Sequence, residues 1–171
     1  MDNITIRKAT YEDIPSIVDI KINGWKSTYK GIIDDEFLDS MKKDTHIKRM
    51  HDNYKKTNIV VAEANNKVVG FCRYLDNNSF SENIENADCE IIALYVSPEL
   101  KRQGIGTKMF NYVKQELKAK NKKNMVIWCL KENENSKKFY KKMGGTIIKE
   151  KQATFGDKQY PEVCFIFDIQ E

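Results

Sequence analysis

Residues Glu90–Met109 read E-I-I-A-L-Y-V-S-P-E-L-K-R-Q-G-I-G-T-K-M. An apolar run stops at Pro98, a glycine-containing turn follows, and from Gly104 to Lys120 the residues Ile105, Met109, Val113 and Leu117 recur four apart with Lys and Gln opposite. The spacing predicts an amphipathic helix entered from a buried strand. The junction is an anion site by construction. A helix start leaves amide N–H groups without intrahelical acceptors at the positive end of the macrodipole, and Gly104 and Gly106 put no side chain between them and an incoming oxygen. Lys101 and Arg102 bring charge to the same point.

The flanking sequence supplies more strands and helices. Ile4 and Ile6 alternate with polar residues as a first strand, and Thr10-Tyr11-Glu12-Asp13 resembles a capping box opening a helix that carries Ile14, Ile17, Val18 and Trp25. Gly31 breaks that helix, a short one restarts at Asp34 or Asp35, and an amphipathic piece carries Ile47, Met50 and Tyr54. Asn58–Glu63 and Val68–Leu75 read as a hairpin about Asn65-Asn66-Lys67. Asp76–Glu90 is expected to be a polar loop, with five acidic residues and no basic ones. Met125–Leu130 is a short buried strand, and Asn135–Met143 a helix stopped by Gly144-Gly145. Two last strands, Thr146–Phe155 and Val163–Ile169, are expected around a Gly156-Asp157-Lys158 turn. No repeat, linker or composition break interrupts the 171 residues, so 1–171 is expected to form a single mixed α/β (α+β) domain.

Composition sets outer limits. With 40% hydrophobic residues, 8 Gly and 3 Pro, the chain is neither collagen-like nor a low-complexity tract. No apolar run approaches the roughly 20 residues that cross a bilayer, and the opening MDNITIRKATYEDI lacks the pattern of a secretory signal, so the expectation is a soluble cytoplasmic protein without a membrane partner. Cys72, Cys89, Cys129 and Cys164 form no C-x-x-C pair and are expected as buried thiols, with no metal. His46 and His51 stand five apart, off the i, i+4 spacing of a helical metal pair. The net charge of +4 is unevenly spread, since Lys101–Lys151 holds 15 Lys and Arg against 4 acidic residues.

Two familiar phosphate signatures are absent. G-x-x-x-x-G-K-S/T does not occur, and G-x-G-x-x-G fails because Met109 stands three after Gly106. The residues that remain resemble the GNAT superfamily of acyl-CoA-dependent N-acetyltransferases. Its pyrophosphate motif, Arg/Gln-x-x-Gly-x-Gly/Ala after a strand ending V-x-P, is similar to Lys101-Arg102-Gln103-Gly104-Ile105-Gly106 after Val96-Ser97-Pro98, with Lys101 departing from the preferred residue. Its second block, N-x-x-A-x-x-F-Y-x-K-x-G, is mirrored by Asn133 to Gly144, with Ser136 in place of Ala, and Gly145 replaces an apolar residue. The resemblance runs over about residues 60–169, with a weaker echo at Trp25, Tyr29 and Gly31, and looks most like bacterial spermidine and spermine acetyltransferases.

The resemblance implies a central mixed, mostly antiparallel sheet of about seven strands flanked by about four to five helices. It implies acetyl-CoA as acyl donor, with its pyrophosphate on Lys101, Arg102, Gln103, Gly104, Ile105, Gly106 and Thr107, and its pantetheine along Leu94, Tyr95 and Val96. Asn133 and Lys142 stand at further cofactor positions, and Tyr140 at the general acid for the departing thiolate. Glu90 is the candidate base, placed by simple alternation on one side with Ile92 and Leu94, while Phe139 is expected on the core face. Trp25 and Tyr29 are candidates for an amine pocket, and the Asp76–Glu90 loop with Asp34-Asp35-Glu36 could draw in a polyamine. A protein N-terminus or another small amine is the alternative acceptor. A non-catalytic CoA sensor and a nucleic-acid-binding domain, suggested by Lys118–Lys123, are alternatives of another class, but no helix-turn-helix or RNP pattern is present. Open strand edges in a mixed sheet would allow a homodimer.

Overall fold

Asn65 and Asn66 both adopt positive φ, 50° and 59°, the backbone a two-residue hairpin turn requires. They join β2 (Asn58–Ala64) to β3 (Lys67–Leu75). The computed structural model describes residues 3–81 and 84–171, so Glu82 of the acidic loop lies outside the described residues. Before the hairpin come β1 (Ile4–Lys8), α1 (Ile14–Tyr29), α2 (Asp35–Asp39) and α3 (Lys43–Asn53). After it come β4 (Cys89–Val96), α4 (Ile105–Ala119), β5 (Asn124–Leu130), α5 (Glu134–Lys142), β6 (Thr146–Phe155) and β7 (Lys158–Asp168). The strands form one sheet in the order β1-β2-β3-β4-β5-β7-β6. Every neighbouring pair is antiparallel except β4 with β5, so the mixed, mostly antiparallel α/β architecture is as expected.

The apolar rows found in the sequence are the ones that pack. Ile105, Met109, Val113 and Leu117 of α4 are all buried, against Val60, Cys72, Ile91 and Ile127 of the sheet. Ile17 and Ile20 of α1 cover the opposite face with Val61 and Phe71. All four cysteines are free and buried, and no helix among the described residues is long and apolar enough to cross a membrane.

Two local readings need correction. Gly156-Asp157 alone makes the last turn, because Lys158 already pairs with Phe155, and β7 begins there rather than at Val163. Pro161 and the charged residues around it masked this stretch, which runs beside the exposed edge strand β6. The second correction is at β4. Arg73 faces Ala93 and Tyr74 faces Ile91, so Ile92 is an extra residue, and such a bulge resets which side each residue takes. Ile91 and Leu94 pack on the α4 side, while Ala93 and Tyr95 pack with α1. Glu90 therefore lies on the face away from Leu94, not with it.

The bulge also opens the sheet. β4 and β5 pair only at Cys89 with Met125, Glu90 with Val126 and Ile91 with Ile127. Beyond Ile91, β4 stays with β3 and β5 stays with β7 along its whole length. The two parallel strands diverge there, and a cleft opens between them.

Candidate active site

The cleft encloses about 620 Å³ and is walled by β4 from Ile92 to Val96, by β5 from Ile127 to Cys129, by the turn into α4, and by α5. At one end of it Gly104 caps α4 in the left-handed region, φ +79°, where a side chain is strained. The first bond of the helix ladder runs from Lys108 N–H to Gly104 C=O at 3.0 Å. The amides of Ile105, Gly106 and Thr107 thus face the cleft mouth without intrahelical acceptors, and Lys101 and Arg102 line the same end. Lys101 is steadied by a 3.1 Å bond from Nζ to Thr28 Oγ1, and partial burial lowers its pKa.

The structure brings most of the expected residues together. Leu94, Tyr95, Val96, Lys101, Arg102, Gly104, Ile105, Gly106, Thr107, Asn133, Tyr140, Lys142 and Tyr29 all line the cleft. Gln103 does not; it sits exposed outside the lining, in the turn whose Arg102 has φ +65°. Trp25 is also outside, packed edge-on to Tyr29 at 5.0 Å and to Phe155 at 5.2 Å, so it buttresses the wall rather than forming it. Asn133 has two tasks, because besides lining the cleft its Oδ1 accepts from Ser136 N–H at 3.1 Å and caps α5.

Tyr140 is buried at 6% exposure, and Phe139, expected on the core face, is the more exposed of the two. Phe139 lies beneath Gly106, whose hypothetical Cβ would meet its ring at 3.7 Å, and so joins α5 to the start of α4. Among the described residues the sole buried polar side-chain atom both sealed and unpartnered is Trp25 Nε1. The Tyr140 hydroxyl has no partner among the described residues either, and Tyr140 lines the cleft. Burial, then the neighbouring Cys129, Tyr29 and Cys72, push its pKa well above the usual phenol range, so it carries its proton at neutral pH. Tyr29 and Tyr95 meet oxygen to oxygen at 3.3 Å and are shifted upward by the same burial.

Glu90 is not in the cleft wall. It is 3% exposed; Oε1 accepts from Phe80 N–H at 2.7 Å and Oε2 from Ser81 Oγ at 2.5 Å, while Ser81 Oγ accepts from Trp128 Nε1 at 3.0 Å. The carboxylate ties the preceding loop to the back of β5. That loop is not a freely solvated acidic patch, since Ile84 and Ala87 are buried against Val126 and Cys164. Its acids are largely engaged: Asp76 with Lys120 at 2.7 Å, and Asp88 with the amides of Lys123 and Asn124. Asp34 pairs with Lys158 at 3.0 Å, which leaves Asp35 and Glu36 exposed in the first turn of α2. The sequence reading missed Ile92, Trp128 and Cys129 as wall residues. Their signal was the unknown point at which β4 parts from β5, which no local pattern marks.

Comparison with known proteins agrees with this geometry. Residues 23–145 match the acetyltransferase (GNAT) family. The uncharacterized N-acetyltransferase YuaI of Bacillus subtilis is 26% identical over 134 residues, covering 76% of this chain and 73% of the relative. The spermidine N(1)-acetyltransferase of Thermoplasma acidophilum is 26% identical over 146 residues, covering 83% and 88%. Among solved structures, the PaiA N-acetyltransferase of Thermoplasma acidophilum in complex with coenzyme A shares the fold with a TM-score of 0.71 at 23% identity, over 94% of this chain and 98% of that one. The ribosomal-protein-alanine N-acetyltransferase of Brucella melitensis does so with a TM-score of 0.74 at 18% identity, over 96% and 99%. A parallel pair split by a bulge, a glycine-capped helix at the mouth of the split and a match spanning most of the sequence lead to one conclusion: the chain belongs to the acetyltransferase (GNAT) family.

Proposed function

We propose that the protein transfers an acetyl group from acetyl-CoA to a primary amine of a polyamine such as spermidine or spermine, with Tyr140 as general acid. The observation that carries the reading is the Tyr140 hydroxyl, without a partner among the described residues, at a cleft whose other end is the bare N-terminus of α4. Acetyl-CoA, when bound, supplies an acetyl thioester. The amides of Ile105, Gly106 and Thr107, with Lys101 and Arg102, hold its diphosphate. The free edge of β4 at Leu94, Tyr95 and Val96 offers backbone groups to the pantetheine arm, and Asn133 and Lys142 support it from the other wall.

Amide formation joins the acceptor nitrogen to the carbonyl carbon and releases the C–S bond. Tyr140 gives its proton to the departing sulfur, and the acceptor must shed one proton to attack, since a primary amine with pKa near 10 is mostly protonated at pH 7. No carboxylate or imidazole is among the described residues of the cleft wall, so water takes that proton, and Glu90 acts by fixing the Phe80-Ser81 loop. A polyamine is favoured by the resemblance to the Thermoplasma spermidine enzyme and by exposed Asp35 and Glu36 near the aromatic cluster of Trp25 and Phe37.

The test is CoA release from acetyl-CoA, read with a thiol reagent at fixed ionic strength. The acceptor panel is spermidine, spermine, putrescine, lysine, an N-terminal peptide and an aminoglycoside. Selective turnover of the polyamines is the expected result. Preference for the peptide moves the acceptor to a protein N-terminus, and binding of acetyl-CoA without turnover on any of these amines refutes the polyamine reading and points to another acceptor or a CoA sensor.

A further inference from the structure

On the face of the sheet opposite α4, α1 and α3 pack against the start of β2 and the last residues of β3, and a second cavity of about 80 Å³ lies between them. Its polar wall is Lys21 from α1, His46, Arg49 and Asn53 from α3, Thr57 before β2, and Arg73 from β3. His46, Arg49 and Asn53 stand at i, i+3 and i+7, one face of the helix, so their convergence is built into the sequence. Arg73 Nε donates to Thr57 Oγ1 at 2.9 Å, which fixes the guanidinium and leaves its terminal nitrogens unused.

No carboxylate among the described residues lines the cavity beside these cations. Among the described residues Lys21, Arg49 and Arg73 form no ion pair, and of the two other titratable wall groups, His46 and Tyr54, the latter donates its hydroxyl to Ala9 C=O. The acids on the packed helices point elsewhere: Asp19 of α1 holds Lys43 at 2.7 Å, and Asp44 and Asp52 of α3 are outside the wall and exposed. Arg7, by contrast, has both Asp13 and Glu63 at 2.7 Å. Burial, then Arg73 and Arg49, bring the Lys21 ammonium down to about 8, and burial, then Lys21 and Arg49, lower His46.

We propose that this cavity is a second ligand site, for a phosphate group, free or at the end of a small phosphomonoester. A phosphate carries close to two negative charges at neutral pH and several acceptor oxygens, which suits three cations, an amide and an imidazole at one point. The volume admits a group of a few heavy atoms and excludes a nucleotide, given that a single water needs about 10–15 Å³ on the same kind of measure. Anion binding restores the proton affinity of Lys21. Binding above pH 8 is therefore accompanied by proton uptake, and below pH 7 uptake at Lys21 vanishes because the ammonium is already charged.

The experiment is calorimetric titration and thermal unfolding of the full chain with inorganic phosphate, glycerol phosphate and acetate, in saturating CoA so that the α4 turn is filled. The expected result is one phosphate per chain, acetate much weaker, a phosphate-dependent rise in Tm, and binding about tenfold or more weaker in Lys21→Met and in Arg49→Glu. Arg49 lines the cavity but is itself exposed, so Arg49→Glu keeps the test standing should Lys21→Met fold poorly. Glycerol phosphate binding as well as inorganic phosphate assigns the site to a phosphorylated metabolite, and phosphate alone to the free ion; both support the site. No binding to the CoA-saturated wild type, or binding unchanged in both variants, overturns it. Should CoA itself fail to bind, the same two variants still separate this cavity from the cleft, so the site and the acetyl-transfer reading fail independently.

Discussion

Replacing Tyr140 by Phe removes one oxygen from the molecule, and the structure fixes what that removal touches. The ring stays among Phe139, Phe165 and Phe167, at centroid distances of 5.4, 5.5 and 6.4 Å, and all three contacts survive in Phe. The hydroxyl has no partner among the described residues, so none of their buried groups is orphaned by its loss. Stability should change by less than about 0.5 kcal/mol, a Tm shift of roughly 1–2 °C for a chain of this size. The rate should respond differently. General acid catalysis contributes about 10²–10⁴-fold, which at 1.36 kcal/mol per decade is about 2.7–5.4 kcal/mol of barrier. A thiol of pKa near 8.5 is a fair leaving group without full protonation, so the lower end, near 10²-fold in kcat, is the expectation. CoA affinity should hold within about twofold, because the hydroxyl acts only as sulfur departs. The assay is CoA release under saturating acetyl-CoA and acceptor, alongside Tm and CoA titration. A kcat within twofold of wild type refutes the acid assignment, and a Tm lower by many degrees shows that the oxygen was structural.

Two further predictions follow from partners already named. Glu90→Gln sets an amide group against donors at Phe80 and Ser81, and should lower stability by about 1.5–3 kcal/mol with faster amide exchange at Phe80; a shifted pH profile of kcat/KM at unchanged Tm would instead make Glu90 the base. Asp13 is held below the usual carboxylate range chiefly by hydrogen bonds from Arg7, at 2.7 and 3.0 Å. A carboxylate depressed in the folded state binds fewer protons there than when unfolded, so its stabilisation is complete above about pH 4 and fades as pH falls through the folded value. Asp13→Asn should lower the urea midpoint at pH 7 and converge with wild type in acid; parallel curves from pH 6 to 2 would show that the pair contributes nothing.

Much of the site was readable because it depends on local rules. The four-residue spacing of Ile105, Met109, Val113 and Leu117, the glycine cap at Gly104 and the Asn133 block each specify a short stretch by itself, and each stands where it was expected. Glu90 was misplaced because alternation holds only in a regular strand, and the extra residue at Ile92 shows itself only against the partner strand. The loop after β3 was mistaken for a solvated one because its composition is polar, yet Ile84 and Ala87 suffice to bury it. The cavity of Lys21, His46, Arg49 and Arg73 was invisible for a related reason: its residues lie on three elements brought together only by the packing of α1 and α3 on the sheet.

Three paired positions are all that join β4 to β5. In mechanical terms the sheet is two leaves on a short spine, β1 to β4 on one side and β5, β7 and β6 on the other, with α4 lying mainly on the first leaf and reaching the second through Phe110 on Phe167. A leaf edge at Ile92–Val96 without a neighbouring strand is where backbone amides depend most on solvent for their bonds. An extended guest laid along that edge becomes, for as long as it stays, the missing strand of the seam. Backbone bonds to such a guest would bridge the seam, and slower amide exchange at Ile92–Val96 when the cleft is filled is the expected consequence.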